Sequence, residues 1–176
     1  MRNLLLLFTL VIFSCSSKAQ RIALSKTATV DLPKKMVSAQ VKDAKSLITQ
    51  RFSKTKSLSN LVATNLDKTY FVDNMVVMIK LASIPSEPGF LKTYQLAADE
   101  TGLTINGYSS KIEKIDGKDV FVIDHISEGI KLYRFTTINS TEDQIVTGFV
   151  QHQAGDKIKA RKLLEEVIKG LKFNKK

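Results

Sequence analysis

Two histidines and a neighbouring aspartate are the side chains of this sequence best suited to metal or acid–base chemistry. His125 and His152 are the only histidines among the 176 residues, and Asp124 lies beside the first of them. A zinc site needs such nitrogen and carboxylate ligands to converge, yet neither histidine belongs to a spaced motif such as H-x-x-H or H-E-x-x-H. We therefore predict no metal site and no cofactor, and keep His125 and His152 only as weak candidate ligands.

A serine hydrolase is the second chemistry to consider, because Ser127 follows the same histidine closely. Asp124 and His125 are adjacent in a predicted strand, where successive side chains point to opposite faces. The aspartate therefore cannot orient the histidine as a catalytic triad requires. The sequence also has no G-x-S-x-G, S-x-x-K or glycine-rich phosphate-binding motif. We predict no catalytic residues and a protein that is not an enzyme.

Arg134 is the third candidate, because it interrupts the otherwise apolar and aromatic segment "KLYRFTT". An arginine on a packed strand needs a carboxylate or a ligand, since burying an unpaired charge costs free energy. We favour an ion pair with an acid on a neighbouring strand, and Asp124 is the candidate. The alternative is a ligand-binding arginine, whose pocket Tyr133 would not share because it points to the other face.

Cys15, the only cysteine, directly follows an apolar N-terminal segment. Arg2 is the only charge before an apolar run at residues 4–13, and small polar residues follow the run. This order is typical of a secretory signal peptide. The run is too short for a helix that spans a bilayer, which needs about 20 residues.

Residues 12–15, "IFSC", resemble the lipobox of bacterial lipoproteins, although Phe13 replaces the usual small residue. The resemblance implies a signal peptide at residues 1–14, a lipidated Cys15 and a membrane-anchored basic tether at residues 15–27. Several acyl chains would make the attachment durable, since each buried methylene contributes about 0.8 kcal/mol. The alternative is cleavage after "SKA" at residues 17–19, which would release a soluble periplasmic or secreted protein that begins at Gln20.

Export and charge together restrict the partners of this basic protein. The 27 basic and 17 acidic residues give a net charge of +10. Without Arg2 the balance is 26 to 17, or +9. Export removes nucleic acid as a partner, so anionic lipid or an acidic envelope protein is the better expectation. Ser16 is not the aspartate that retains lipoproteins at the inner membrane, which favours an outer-membrane lipoprotein that faces the periplasm.

The elements that must position these residues form one predicted α+β domain at residues 28–176. Hydrophobic periodicity and breakers in the first half predict a strand at 28–32, a helix at about 36–52, a polar loop at 53–60, a weak strand at 60–72, a central strand at 74–84 and a helix at 90–102. Gly102 is expected to close the last of these helices.

The second half carries the clearest local signals. Asp116-Gly117 between two apolar segments predicts a tight hairpin, and two more strands complete a four-stranded antiparallel meander over residues 108–152. Its lysine-rich first strand suits a sheet edge. A helix follows, with Asp156 as its expected N-cap. Its apolar stripe comprises Ala160, Leu163, Leu164, Val167, Ile168 and Leu171.

This order of elements, with the "KIDGKDVFVID" hairpin and the closing "LLEEVIKGLKF", resembles the PsbP-like fold and its DcrB-like bacterial lipoproteins. The resemblance implies an antiparallel sheet with helices packed on both faces, an α/β/α sandwich. It brings no catalytic motif, and fold alone does not specify activity. We therefore expect a non-enzymatic module that engages another envelope component. The alternative is a domain that binds a small molecule or lipid between the sheet and the helix at 90–102.

Overall fold

The computed structural model describes residues 20–40, 56–82 and 87–174. Within these ranges the strands are β1 (Gln20–Ala23), β2 (Ala28–Leu32), β3 (Val37–Ser38), β4 (Thr69–Val72), β5 (Met75–Leu81), β6 (Ser109–Ile115), β7 (Lys118–Ser127), β8 (Ile130–Ile138), β9 (Ile145–His152) and β10 (Leu171–Phe173). The α-helices are α1 (Lys56–Ala63), α2 (Phe90–Gly102) and α3 (Lys157–Gly170). The protein is thus of the α+β class.

The larger of two antiparallel sheets has seven strands in the order β3-β4-β5-β9-β8-β7-β6. Strands β6 to β9 form the predicted meander, and the lysine-rich β6 lies at the edge, as predicted. Asp116 and Gly117 both adopt positive φ in the first hairpin, the geometry that a tight turn requires. Strand β5 pairs on both sides, so the predicted central strand is confirmed.

The smaller sheet joins the two ends of the described chain in the order β1-β2-β10. Strand β2 was predicted, but β1 lies within the segment interpreted as a tether. Residues 20–23 pair with β2, and Arg21 contacts Asp31 at 2.7 Å, so this part of the tether prediction is wrong. Residues 15–19 lie outside the described ranges.

Two other predictions in the first half need correction. The helix predicted at 36–52 starts where the structure has strand β3, and residues 41–52 lie outside the described ranges. The predicted polar loop at 53–60 contains the start of α1, and the predicted strand at 60–72 is reduced to Thr69–Val72. The i, i+3, i+4 spacing of Leu58, Leu61 and Val62 is helical, but it is short and set among serines and an asparagine.

Alternate side chains of the large sheet form two apolar clusters. The larger cluster packs the predicted stripe of α3 against side chains such as Val77, Val122 and Phe135. Each buried leucine, valine or isoleucine of that stripe contributes roughly 1.5–3 kcal/mol. The smaller cluster packs Val62 of α1 against other side chains of the same strands: Val76, Met78, Leu132 and Phe149.

The ends of the helices differ from expectation in detail. Asp156 occupies the N-cap of α3 but makes no capping hydrogen bond, and its carboxylate accepts a hydrogen bond from Lys159 at 3.2 Å. Gly102 is the last residue of α2 rather than a left-handed residue beyond it. A glycine is needed at this position because a Cβ atom there would overlap the ring of Tyr108.

Candidate ligand-binding groove

Two adjoining cavities lie between α2 and the large sheet, and they share the lining residues Tyr94, Ile123 and Arg134. The first, of about 170 Å³, extends over β5, β9 and β8 towards α1. The second, of about 260 Å³, lies beneath α2 and the loop that follows it. We call the two cavities together the α2 groove. It occupies the place where a binding site between the sheet and the helix at 90–102 was expected.

Arg134 projects from β8 into the α2 groove, where it is exposed. Its guanidinium has no carboxylate partner among the residues that the structure describes. The predicted ion pair with Asp124 is therefore wrong. Ile123 is opposite Arg134 in the pairing of β7 with β8, whereas Asp124 is opposite Tyr133 and points to the other face of the sheet.

Asp124 is instead neutralised by α3. Its carboxylate lies 2.7 Å from the Lys157 Nζ atom. On the same side of the sheet, Arg161 contacts Glu113 at 2.6 Å and Glu165 at 2.9 Å. These cations of α3 have acidic partners, whereas the arginine in the α2 groove lacks one among the described residues.

Lys80 is a second cation of the groove, and sequence reasoning missed it. It is half-buried on β5 and lines the smaller cavity, of about 170 Å³. Like Arg134, it interrupts an apolar strand, so the argument applied to the arginine would have found it. The described lining residues of the two cavities include both cations and no carboxylate.

Two threonines lie in one row with Lys80 across the sheet. Lys80 is opposite Thr147 on β9, which is opposite Thr136 on β8. The Thr147 hydroxyl donates its one proton to the carbonyl of Phe135 at 3.1 Å, so it can only accept from Thr136, 3.3 Å away. The Thr136 hydroxyl is therefore able to donate either to Thr147 or to a molecule in the groove.

Aromatic and small apolar side chains form the walls of the groove. Tyr94 stacks on Phe90 at 5.5 Å and meets Phe121 edge-on at 5.6 Å. Ala97 and Ala98 of α2 line the larger cavity, where their small side chains leave space above the sheet.

Arg134 lies where the two cavities meet, and Lys80 lines only the cavity over β5 and β9, which is the cationic end of the groove. Apart from Arg134 the cavity beneath α2 has an uncharged lining, in which Thr101 and Tyr108 accompany the apolar side chains, and we call it the apolar end.

Polar contacts attach both ends of α2 to the rest of the domain. The Asp99 carboxylate accepts hydrogen bonds from Ser110 and from the Tyr108 hydroxyl, the latter at 2.8 Å. These hydrogen bonds hold the pKa of Asp99 below its ordinary value. At the other end, the Gly89 amide donates to the Glu142 carboxylate at 2.9 Å. The roof of the groove therefore depends on a few polar contacts more than on burial.

His125 lines the apolar end of the groove as a neutral imidazole. It is 5% exposed, and its Nδ1 atom is buried without a hydrogen-bond partner among the described residues. Burial lowers the pKa of His125 from 6.5 to about 4, and the nearby charge of Arg134 acts in the same direction. The ring therefore adds no positive charge to the groove at neutral pH.

The two histidines do not approach each other as metal ligands. His152 lies on the α3 side of the sheet, where it stacks on Tyr133 at 5.2 Å and its Nδ1 lies 2.8 Å from the Gln153 carbonyl oxygen. His125 lies on the other side. Within the described ranges, no group of three or more histidine, cysteine or acidic side chains is arranged to hold a metal ion. Cys15 lies outside those ranges.

Comparisons with known proteins do not assign the chain to a family. No protein-family model matches it, and no curated protein matches it. The solution structure of cyanobacterial PsbP from Synechocystis sp. PCC 6803 is similar, with a TM-score of 0.45, 9% identity, and coverage of 89% of this chain and 92% of that one. A point mutant of the protein Mog1 gives a TM-score of 0.44 and 12% identity, over 88% of this chain and 95% of that one.

These likenesses are too distant to bear on activity. The α+β class rests on the helices and the two antiparallel sheets themselves. Among the described residues, no helix is both long and apolar enough to cross a membrane.

Proposed function

We propose that the protein is an exported, lipid-anchored and non-enzymatic binding module whose α2 groove takes an anionic amphiphile. The observation that carries the proposal is Arg134, a cation without an acidic partner among the described residues, at the junction of two apolar-walled cavities. A binding pocket that is mostly apolar with a few convergent polar groups is the usual form of a small-molecule site.

The two ends of the groove favour a ligand with two ends. Lys80 and Arg134 suit an anionic head group, which would supply the negative charge that neither cation finds among the described residues. The apolar end beneath α2 suits a hydrocarbon or aromatic tail, since its transfer from water contributes about 25 cal/mol per Å² of buried surface. A neutral apolar molecule would leave the cations unpaired, and a purely polar anion would leave the apolar walls hydrated.

The fold and location that we propose follow the sequence. Helix α3 contacts one face of the large sheet, and α1 and α2 contact the other face. These contacts support a PsbP-like α/β/α sandwich. The lipobox-like "IFSC" supports anchoring through Cys15 at the periplasmic side of the outer membrane. A module held there would meet amphiphiles that leave or enter a bilayer.

Fractionation tests the anchor. A Cys15→Ser chain should move from the membrane fraction to the soluble periplasm, and metabolic labelling with a palmitate analogue should mark only the unsubstituted chain. Retention of the Cys15→Ser chain in the membrane fraction would contradict anchoring through acyl chains. A mature chain that begins at Gln20 and carries no lipid would do the same.

Titration tests the groove. Calorimetry with octyl anions should show binding to the unsubstituted chain and at least a tenfold loss in Arg134→Gln, since hydrogen bonds to charged groups contribute about 1.5–3 kcal/mol. Arg21→Gln is the matched control, because it removes the same charge from an exposed ion pair on the small sheet. Equal losses in the two variants would show a general charge effect and contradict the proposed site.

A second candidate function is an interface with another envelope protein. Leu96 of α2 and Leu103 beyond its end are 59% and 87% exposed, and apolar side chains at such positions suit a protein contact. A photoreactive residue at position 103 should then form a crosslink to a partner protein in intact envelopes. The substitution Leu96→Gln should lower the yield of that crosslink. Crosslinks to lipid alone would favour the groove over a protein interface.

A further inference from the structure

We propose that the head group bound in the α2 groove is a phosphate monoester, held by Lys80, Arg134 and the Thr136 hydroxyl. This inference rests on the proposed function and specifies its ligand. The head group would lie in the smaller cavity, which all three side chains line.

Charge distinguishes a phosphate from the other common anionic head groups. The described lining of the groove carries two cations and no carboxylate, and His125 stays neutral because burial lowers its pKa to about 4. A carboxylate or an alkyl sulfate head group carries one negative charge and would leave one cation unbalanced. A phosphate monoester carries about −1.5 to −2 at pH 7 and matches both cations.

The number and position of donors point the same way. A phosphate monoester offers three terminal acceptor oxygens. Arg134 presents a planar fork that suits two of them, and Lys80 presents a mobile ammonium. Thr136 shares the row of Lys80 across the sheet and lies two residues from Arg134 along β8, on the same face. Its hydroxyl can turn to the third oxygen, because its bond to Thr147 is long at 3.3 Å.

The apolar end limits the tail to a single chain. The cavity beneath α2 measures about 260 Å³. For comparison, an engineered apolar cavity of about 150 Å³ holds one benzene molecule. One short alkyl chain or one aromatic ring therefore fits, whereas a second acyl chain would remain outside. A free alkyl phosphate and the phosphate of a single-chain lipid in a bilayer share this chemistry.

Octyl phosphate and octyl sulfate are the decisive pair of probes, because they share tail and shape but differ in charge. Both would be titrated by calorimetry into the lipidated full chain in phosphatidylcholine nanodiscs, with empty nanodiscs subtracted. We expect octyl phosphate to bind about tenfold or more tightly than octyl sulfate or octanoate at pH 7.5. Inorganic phosphate should bind far more weakly, since it lacks the tail.

Substitutions in the groove test which side chains cause the preference for octyl phosphate over octyl sulfate. Lys80→Gln should abolish the preference for phosphate over sulfate while Arg134-dependent binding of both anions persists. Thr136→Val, which keeps the shape of the side chain, should weaken octyl phosphate several-fold. Lys131→Gln is the matched control, because Lys131 lies on β8 on the other face of the sheet. Thermal unfolding by circular dichroism would show that each variant is folded.

The outcomes separate this inference from the function on which it rests. Equal affinities for octyl sulfate and octyl phosphate, or a Lys80→Gln variant that keeps the preference, would overturn the phosphate assignment and leave an anion-binding groove. Failure of every octyl anion to bind in an Arg134-dependent manner would overturn both proposals. Nanodiscs that contain lysophosphatidic acid distinguish the sources: competition with octyl phosphate indicates a lipid head group, and unchanged affinity indicates a free alkyl phosphate.

Discussion

Acid should destabilise this protein through His125 before its carboxylates become protonated. Burial of the ring lowers its pKa from 6.5 in the unfolded chain to about 4 in the folded one. Between these values the unfolded state binds the additional proton, so the free energy of unfolding falls as pH falls. At neutral pH the ring is uncharged in both states and the penalty is absent.

The size of the effect follows from the difference in pKa. A shift of one pKa unit corresponds to 1.36 kcal/mol, so a change from 6.5 to about 4 corresponds to about 3 kcal/mol lost between pH 7 and pH 4. That loss is a large part of the 5–15 kcal/mol typical of a domain. Carboxylates with a lowered pKa, such as Asp99, begin to lose their contribution only as the pH falls below about 5, so the loss between pH 6.5 and pH 5 belongs to His125.

Urea denaturation followed by circular dichroism at half-unit steps from pH 7 to pH 4 measures this loss. The matched variant is His125→Asn, which has no titratable group and keeps a polar atom near the position of Nδ1. Its absolute stability is irrelevant, since only the slope against pH is compared. A free energy of unfolding that stays constant between pH 6.5 and pH 4.5 would contradict this role of His125, as would equal slopes in the two proteins.

Three further substitutions test contacts on the two faces of the large sheet. Gly148→Ala should lower the free energy of unfolding in urea by about 3 kcal/mol or more, since its Cβ would overlap the Met78 carbonyl, whereas Gly155→Ala, which has open space, should change it by less than about 0.5 kcal/mol. Asp99→Ala should lower the free energy of unfolding and accelerate amide hydrogen exchange in α2 but not in α3, because it removes the acceptor of the Ser110 and Tyr108 hydroxyls. Arg161→Met should cost about 1 kcal/mol, because it removes the more buried of the two cations that contact Glu113 and leaves only the exposed Lys111 beside that carboxylate among the described residues; unchanged stability would contradict a contribution from Arg161.

The elements with strong local signals were predicted correctly. The Asp116-Gly117 turn fixes a hairpin by backbone geometry, and the stripe from Ala160 to Ile168 is long enough to specify a helix by itself. The start of α1 was missed because its helical pattern is short and set among polar residues, and strand β3 was missed because tertiary contacts decide it. Val37 and Ser38 pair with residues more than 30 positions away on β4, and no short-range pattern records that pairing.

The candidate site was predicted only in part, for a similar reason. Arg134 was identified because a charge in an apolar strand needs an explanation, but its proposed partner was wrong. Asp124 and Arg134 lie on adjacent strands, and only the pairing register places them on opposite faces. Lys80 lies 54 positions from Arg134 in the chain, and the sheet order brings the two to one cavity.

The most direct test of the central claim is to map where an octyl anion contacts the protein. Backbone amide chemical shifts of the full chain, recorded during titration with octyl phosphate, should change most at residues 94, 123, 134–136 and 147–149. They should change little in α3. We expect saturable shifts that are confined to those positions and are lost in Arg134→Gln. Shifts centred on α3 or the small sheet, or the same groove shifts in Arg134→Gln, would contradict the central claim.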